Sequence, residues 1–124
     1  MSNSLFSLEY IEKLRSGEIE EEVIADYVSA PTTATTVITR TPNKDGAIIG
    51  IAGTNDNSVD FDVTLDGKSA LPLGAYDMAA FPSNLREFRV WIPFNAKQKI
   101  GIKLKSNTGS AVNVAVRVRY ILWG

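Results

Sequence analysis

From Val59 onward the chain alternates apolar and polar residues. SVDFDVTLDG sets Val59, Phe61, Val63 and Leu65 on one face and Ser58, Asp60, Asp62 and Thr64 on the other. That is the period of a half-buried strand. REFRVWIPF (86–94) turns Phe88, Val90 and Ile92 the same way, and QKIGIKLK (98–105) does so with Ile100, Ile102 and Leu104. VNVAVRVRYILWG (112–124) aligns Val112, Val114, Val116, Val118, Tyr120 and Leu122. TTVITR (35–40) reads as a further strand, and AIIGIAG (47–53) as a buried one whose small residues suit close approach. The segment KSALPLGAYDMAAFPSN is irregular, with room for one short strand. About six to eight short strands with turn signals between them, and no helix among them, predict an antiparallel sandwich or barrel and exclude βαβ units.

The first 28 residues carry a different pattern. Leu5, Leu8, Ile11 and Leu14 recur at helical spacing, with Gly17 as a stop, and EIEEEVIADYV continues with Ile19, Val23 and Tyr27 at i, i+4 and i+8. Glutamates early in this second piece suit a helix N-terminus. The expected organisation is a helical arm (1–28) ahead of a β-sandwich domain (29–124).

The last two strands predict a hairpin in which Lys103 faces Asn113, because that register matches Ile100 with Val116, Ile102 with Val114 and Leu104 with Val112. It would also set Lys99 opposite Arg117 and Lys97 near Arg119, beside an outward Ile121 and Trp123. Like charges in opposition disfavour pairing, so such a face calls for an anionic cover. Trp91 also points outward from its strand. The candidate interface is therefore Trp91, Lys99, Arg117, Arg119, Ile121 and Trp123 on the body, with Leu5, Leu8, Ile11, Leu14, Ile19, Val23 and Tyr27 on the arm.

Charge strengthens this expectation. Residues 1–28 hold seven acids against Lys13 and Arg15, a balance of −5, whereas the rest holds seven acids against eleven bases, a balance of +4. An acidic arm beside a nucleic acid would repel it, and the bases lack interleaved aromatics, which argues against nucleic acid as a partner. The chain contains no histidine and no cysteine. Disulfides, thiolate or imidazole catalysis and Cys/His zinc sites are thereby excluded. Asp56, Asp60, Asp62 and Asp66 are oxygen ligands in kind, but they lack the spacing of a calcium loop. Glu87 and Asp77 near Tyr76 have no fixed geometry, and GAIIGIAG lacks the lysine of a phosphate loop. No enzyme and no cofactor are expected. No apolar run reaches the roughly 18–20 residues of a membrane span, and the start lacks a signal-peptide pattern, so the expected location is cytoplasmic, or the virion if the source is viral.

The run FRVWIPFNAKQKIGIKLKSNTGSAVNVAVRVRYILWG resembles the closing strands of viral and phage virion jelly-roll or β-sandwich subunits of the capsid, decoration or tail-attachment type. Pro93 with Asn95 stands where their corner lies, and Ser106-Asn107-Thr108-Gly109 where their turn lies. The resemblance covers the last third of the chain and carries no site residues. It implies a jelly-roll-like sandwich acting as a homo-oligomeric structural subunit, a trimer first, whose arm contacts neighbours or a larger viral shell or tail protein. Carbohydrate-binding sandwiches share the pattern, and the alternative is a carbohydrate- or ligand-binding module using Trp91 and the 66–86 loop.

Overall fold

Alternation of apolar residues translates directly into strands. The computed structural model describes residues 19–71, 74–82 and 85–123. Over these run β1 (Glu20–Ala30), β2 (Thr35–Arg40), β3 (Gly46–Gly53), β4 (Val59–Leu65), β5 (Lys68–Ser69), β6 (Tyr76–Asp77), β7 (Phe88–Phe94), β8 (Ile100–Ser106) and β9 (Val112–Leu122), with a 3-10 turn at Met78–Ala80. All pairings are antiparallel. The first sheet has the order β1-β9-β3-β7; the second has the order β2-β8-β4-β5, with β6 also paired to β4.

The chain changes sheet at nearly every connection, so neighbours in a sheet are distant in sequence. The tight hairpin between β4 and β5 differs, turning on Asp66 and Gly67 at φ 53° and 86°. Positive φ at both central residues is the geometry that Asp-Gly favours in two-residue hairpins. Inward faces of both sheets form one core, with Ile24, Ile48, Ile51, Val114, Val116 and Val118 from the first meeting Val59, Phe61, Val63, Ile102 and Leu104 from the second. Met78 and Phe81 plug one end, where Phe81 meets Phe61 edge-on at 5.1 Å. Each such side chain contributes about 1.5–3 kcal/mol on leaving water.

Two expectations are corrected. The helix over 18–28 gives way to β1, which pairs with β9 without a break from Glu20↔Leu122 to Ala30↔Val112. A spacing of four is also a multiple of two, so Ile19, Val23 and Tyr27 share a strand face as readily as a helix face. That face is the solvent side of the sheet, while Ile24, Val28 and Ala30 turn to the core. A ladder and core contacts outweigh the helix propensity of the glutamates. The helix expected over 4–17, and with it Leu5, Leu8, Ile11 and Leu14, lies outside the described residues.

The final hairpin is also absent. β8 and β9 belong to different sheets, Lys103 standing opposite Asp62 and Thr36, and Asn113 opposite Ser29. Their apolar faces match because they confront each other across the core. No stack of like charges arises from them.

Candidate functional site: the outer face of the first sheet

β9 lies inside the first sheet and supplies the centre of its outer face. Arg119 stands between Val23 of β1 and Gly50 of β3; Arg117 between Ala25 and Ala52; Ile121 between Glu21 and Ala47. β7 adds Arg89, Trp91 and Pro93 along the far edge. The β3 positions are small and buried, so larger neighbours reach over them.

The acidic segment and the basic strand do meet, side by side in one sheet rather than helix upon sheet. Arg119 grips Glu87 with two nitrogens, Nε donating to Oε1 at 3.0 Å and Nη2 to Oε2, and lies 3.8 Å from Glu21. Lys44 pairs with Glu20 at the same end. Arg117 Nη2 donates to the carbonyl of Leu85 at 2.9 Å. Gly50 is what admits Glu87: a Cβ there would lie 2.2 Å from the Glu87 carboxyl carbon. The sequence showed Glu87 as a carboxylate of unfixed geometry; the glycine within a strand was the available signal for its position.

Trp91 and Trp123 come together on this face, their rings stacked at 5.8 Å and 15°. Trp91 stays exposed, while Trp123 is half-buried, its backbone N–H donating to the Asp45 carbonyl at 3.0 Å. Ile121, expected to be outward and uncovered, is only 1% exposed. Ile19 is half-buried, and Val23 and Tyr27 are exposed at 46% and 68%. Lys99 is not part of the face. It sits in the corner before β8, its N–H donating to Asp66 Oδ1 and its carbonyl accepting from Asp66 N–H, both at 2.9 Å.

The two sheets have unlike exteriors. Outside the second sheet Asp60 stands opposite Lys105 and Asp62 opposite Lys103, with Asp62 Oδ1 accepting from Ser69 Oγ at 2.8 Å. Val23, Tyr27, Leu85 and Trp91, the exposed large apolar residues among those described, all lie on the first sheet's outer side or its border. Leu85 also holds a φ of 56°, a conformation that costs a side-chain-bearing residue about 1–2 kcal/mol.

Beneath β1, the Tyr120 hydroxyl donates to Glu22 Oε1, and Phe94 packs edge-on to the Tyr120 ring at 6.0 Å. Burial, then the hydrogen bond to Glu22 and its negative charge, push Tyr120 up to about 12, while Arg40 works in the opposite direction. Three of the four aspartates weighed as calcium ligands are engaged separately. Asp56 accepts from the hydroxyl and N–H of Ser58, which hold its carboxyl below the usual range, Asp62 accepts from Ser69, and Asp66 from Lys99 N–H. Among the described residues no three carboxylates converge as a metal site, and no helix is long and apolar enough to cross a membrane. No protein-family model and no curated protein matches the chain.

Proposed function

We propose that this chain is a non-enzymatic structural subunit of a homo-oligomeric assembly of the virion kind (capsid, decoration or tail-associated), with its N-terminal residues contacting neighbours. The observation that carries this reading is the unequal exterior of the two sheets. Exposed Val23, Tyr27, Leu85 and Trp91 all lie on or beside the first sheet's outer side, which also holds the Arg119 ion pairs, and among the described residues no exposed large apolar residue lies outside the second. Aromatic and arginine-rich surface with an apolar share suits protein contact. The strand order β1-β9-β3-β7 facing β2-β8-β4-β5 supports the jelly-roll form of the sandwich, in which two Greek keys interleave.

Light scattering tests the reading. The intact chain is expected to run at a multiple of its 13.5 kDa mass. Removing residues 1–18, which leaves β1 whole, is expected to lower that multiple. A monomer at every concentration would sink the assembly role, and an unchanged multiple on truncation would remove the N-terminal residues from it.

The stacked tryptophans favour a second reading, a carbohydrate-binding module, since an indole face is an apolar platform with polar neighbours. Retention on a glycan array that disappears in Trp91→Ala would establish it, and an empty array would dismiss it.

A further inference from the structure

β1 is an edge strand of the first sheet. Ala115, opposite Tyr27, gives its N–H to Thr54 Oγ1 at 2.8 Å and accepts Thr54 N–H on its carbonyl at 3.0 Å. Its backbone therefore points to β3. By the alternation of an antiparallel ladder, Tyr27, Ala25 and Val23 turn their own N–H and C=O groups away from β9. Among the described residues no strand lies along that side. The Tyr27 N–H goes instead to Asp26 Oδ1, one residue away, at 2.8 Å. The two most exposed large apolar residues among those described, Tyr27 and Val23, stand on this same strand.

We propose that a second copy of this chain pairs antiparallel on this edge, about a two-fold axis through Ala25. The proposal rests on the assembly reading above and names its contact. In this register Glu20 faces Ala30, Glu21 faces Ser29, Glu22 faces Val28, Val23 faces Tyr27 and Ile24 faces Asp26. The whole of β1 is engaged and no acid faces an acid. Other centres do worse: Ile24 sets Glu22 against Asp26, Val23 sets Glu20 against Asp26, and Asp26 meets itself. Opposed like charges disfavour each of these, and a centre at Tyr27 engages only residues 24–30. The register also opposes outward backbone groups to outward ones, as a ladder requires. It buries Val23 against Tyr27 twice, in the self-complementary manner of a two-fold interface.

Asp26 is the brake on this contact. Its carboxylate holds the N–H that the partner's Val23 carbonyl would take, and a charge on the inward side of an edge guards against indiscriminate pairing. The result is a contact confined to one register.

The chain has no cysteine, so single cysteines in the full chain report the register. Ala25→Cys would face itself at a Cα separation of about 5.5 Å, within disulfide reach. Val23→Cys and Tyr27→Cys would each face the other. In a glutathione buffer Ala25→Cys is expected to form disulfide dimers at least about tenfold faster than either of the others alone, and mixing those two is expected to restore the rate. Asp26→Ala is expected to lower the dimer dissociation constant about tenfold by freeing the Tyr27 N–H. Circular dichroism shows whether each variant is folded, and all three cysteine positions are exposed. Equal rates for the three cysteine variants, in a chain that scattering shows to be oligomeric, overturn this edge contact and leave the assembly reading in place. A monomer throughout, with Asp26→Ala included, overturns both.

Discussion

Gly50 leaves open the space that the Glu87 carboxylate occupies. The Glu87 carboxylate lies where a Cβ on residue 50 would project, and from there it receives both Arg119 nitrogens. Gly50→Ala is expected to cost about 1–3 kcal/mol by urea unfolding, through the Arg119 contacts that the Glu87 carboxylate gives up as it moves aside. In a Glu87→Ala background the same substitution is expected to cost less, because the space is vacant, and the difference is the coupling of a double-mutant cycle. Equal costs in both backgrounds would show that the carboxylate is not what the glycine accommodates. Tyr120 gives a second prediction of this kind. An unfolded tyrosine releases its proton near pH 10, whereas Tyr120 holds its own to about 12, first through burial and then through Glu22. The folded state thus keeps a proton that the unfolded state has lost. The stabilisation is whole below pH ~10 and disappears as pH rises through the interval to about 12. Tyr120→Phe is expected to flatten the fall in unfolding free energy over that interval relative to the parent chain. An unchanged slope would separate Tyr120 from alkaline unfolding.

At the scale of elements, β1 behaves as a strand with a wet side and a core side. Ile24→Ala is expected to cost about 2–4 kcal/mol, because Ile24 is buried, whereas Val23→Ala should stay within about 0.5 kcal/mol. Amide exchange followed by NMR on dilute protein should alternate along β1. Ile24 and Val28 bond to β9 and are expected to exchange slowly, while Val23 and Ala25, turned the other way, exchange fast. A helix would protect its interior amides without such alternation. Why this strand was hard to read is a matter of arithmetic: the apolar residues that stood out in the sequence, Ile19, Val23 and Tyr27, sit four apart, which suits both periods. Ile24, Val28 and Ala30, which decide the matter, share their alternating face with Glu20, Glu22 and Asp26, which interrupt its apolar run. β4, β7, β8 and β9 were legible nearly to the residue, since each places consecutive apolar positions two apart, and Asp66, Asn95 and Asn107 directly follow the first three.

At the scale of the molecule, the sequence showed which faces are apolar but not which strands are neighbours. The valines of β9 and the isoleucines of β8 match in alternation whether they lie side by side or confront each other across a core, and only the sheet order separates the two. Hence the charge asymmetry was legible, while its expression as β1 beside β9, with Glu21 and Glu87 flanking Arg119, was not.

The unequal exteriors permit one comparison that local stability cannot mimic. Tyr27→Lys and Leu85→Lys place charge on the apolar side, and Lys105→Glu reverses charge on the other; all three residues are exposed. None fills or empties a core position, so thermal midpoints are expected to move little. Leu85→Asn should even raise the midpoint slightly, because Asn adopts positive φ more readily than Leu. If the first sheet's outer side carries assembly, Tyr27→Lys and Leu85→Lys lower the mass seen by light scattering, and Lys105→Glu leaves it unchanged. A loss confined to Tyr27→Lys would restrict the contact to the β1 edge. A loss on Lys105→Glu alone would move it to the second sheet, against the distribution of exposed apolar residues from which it was inferred.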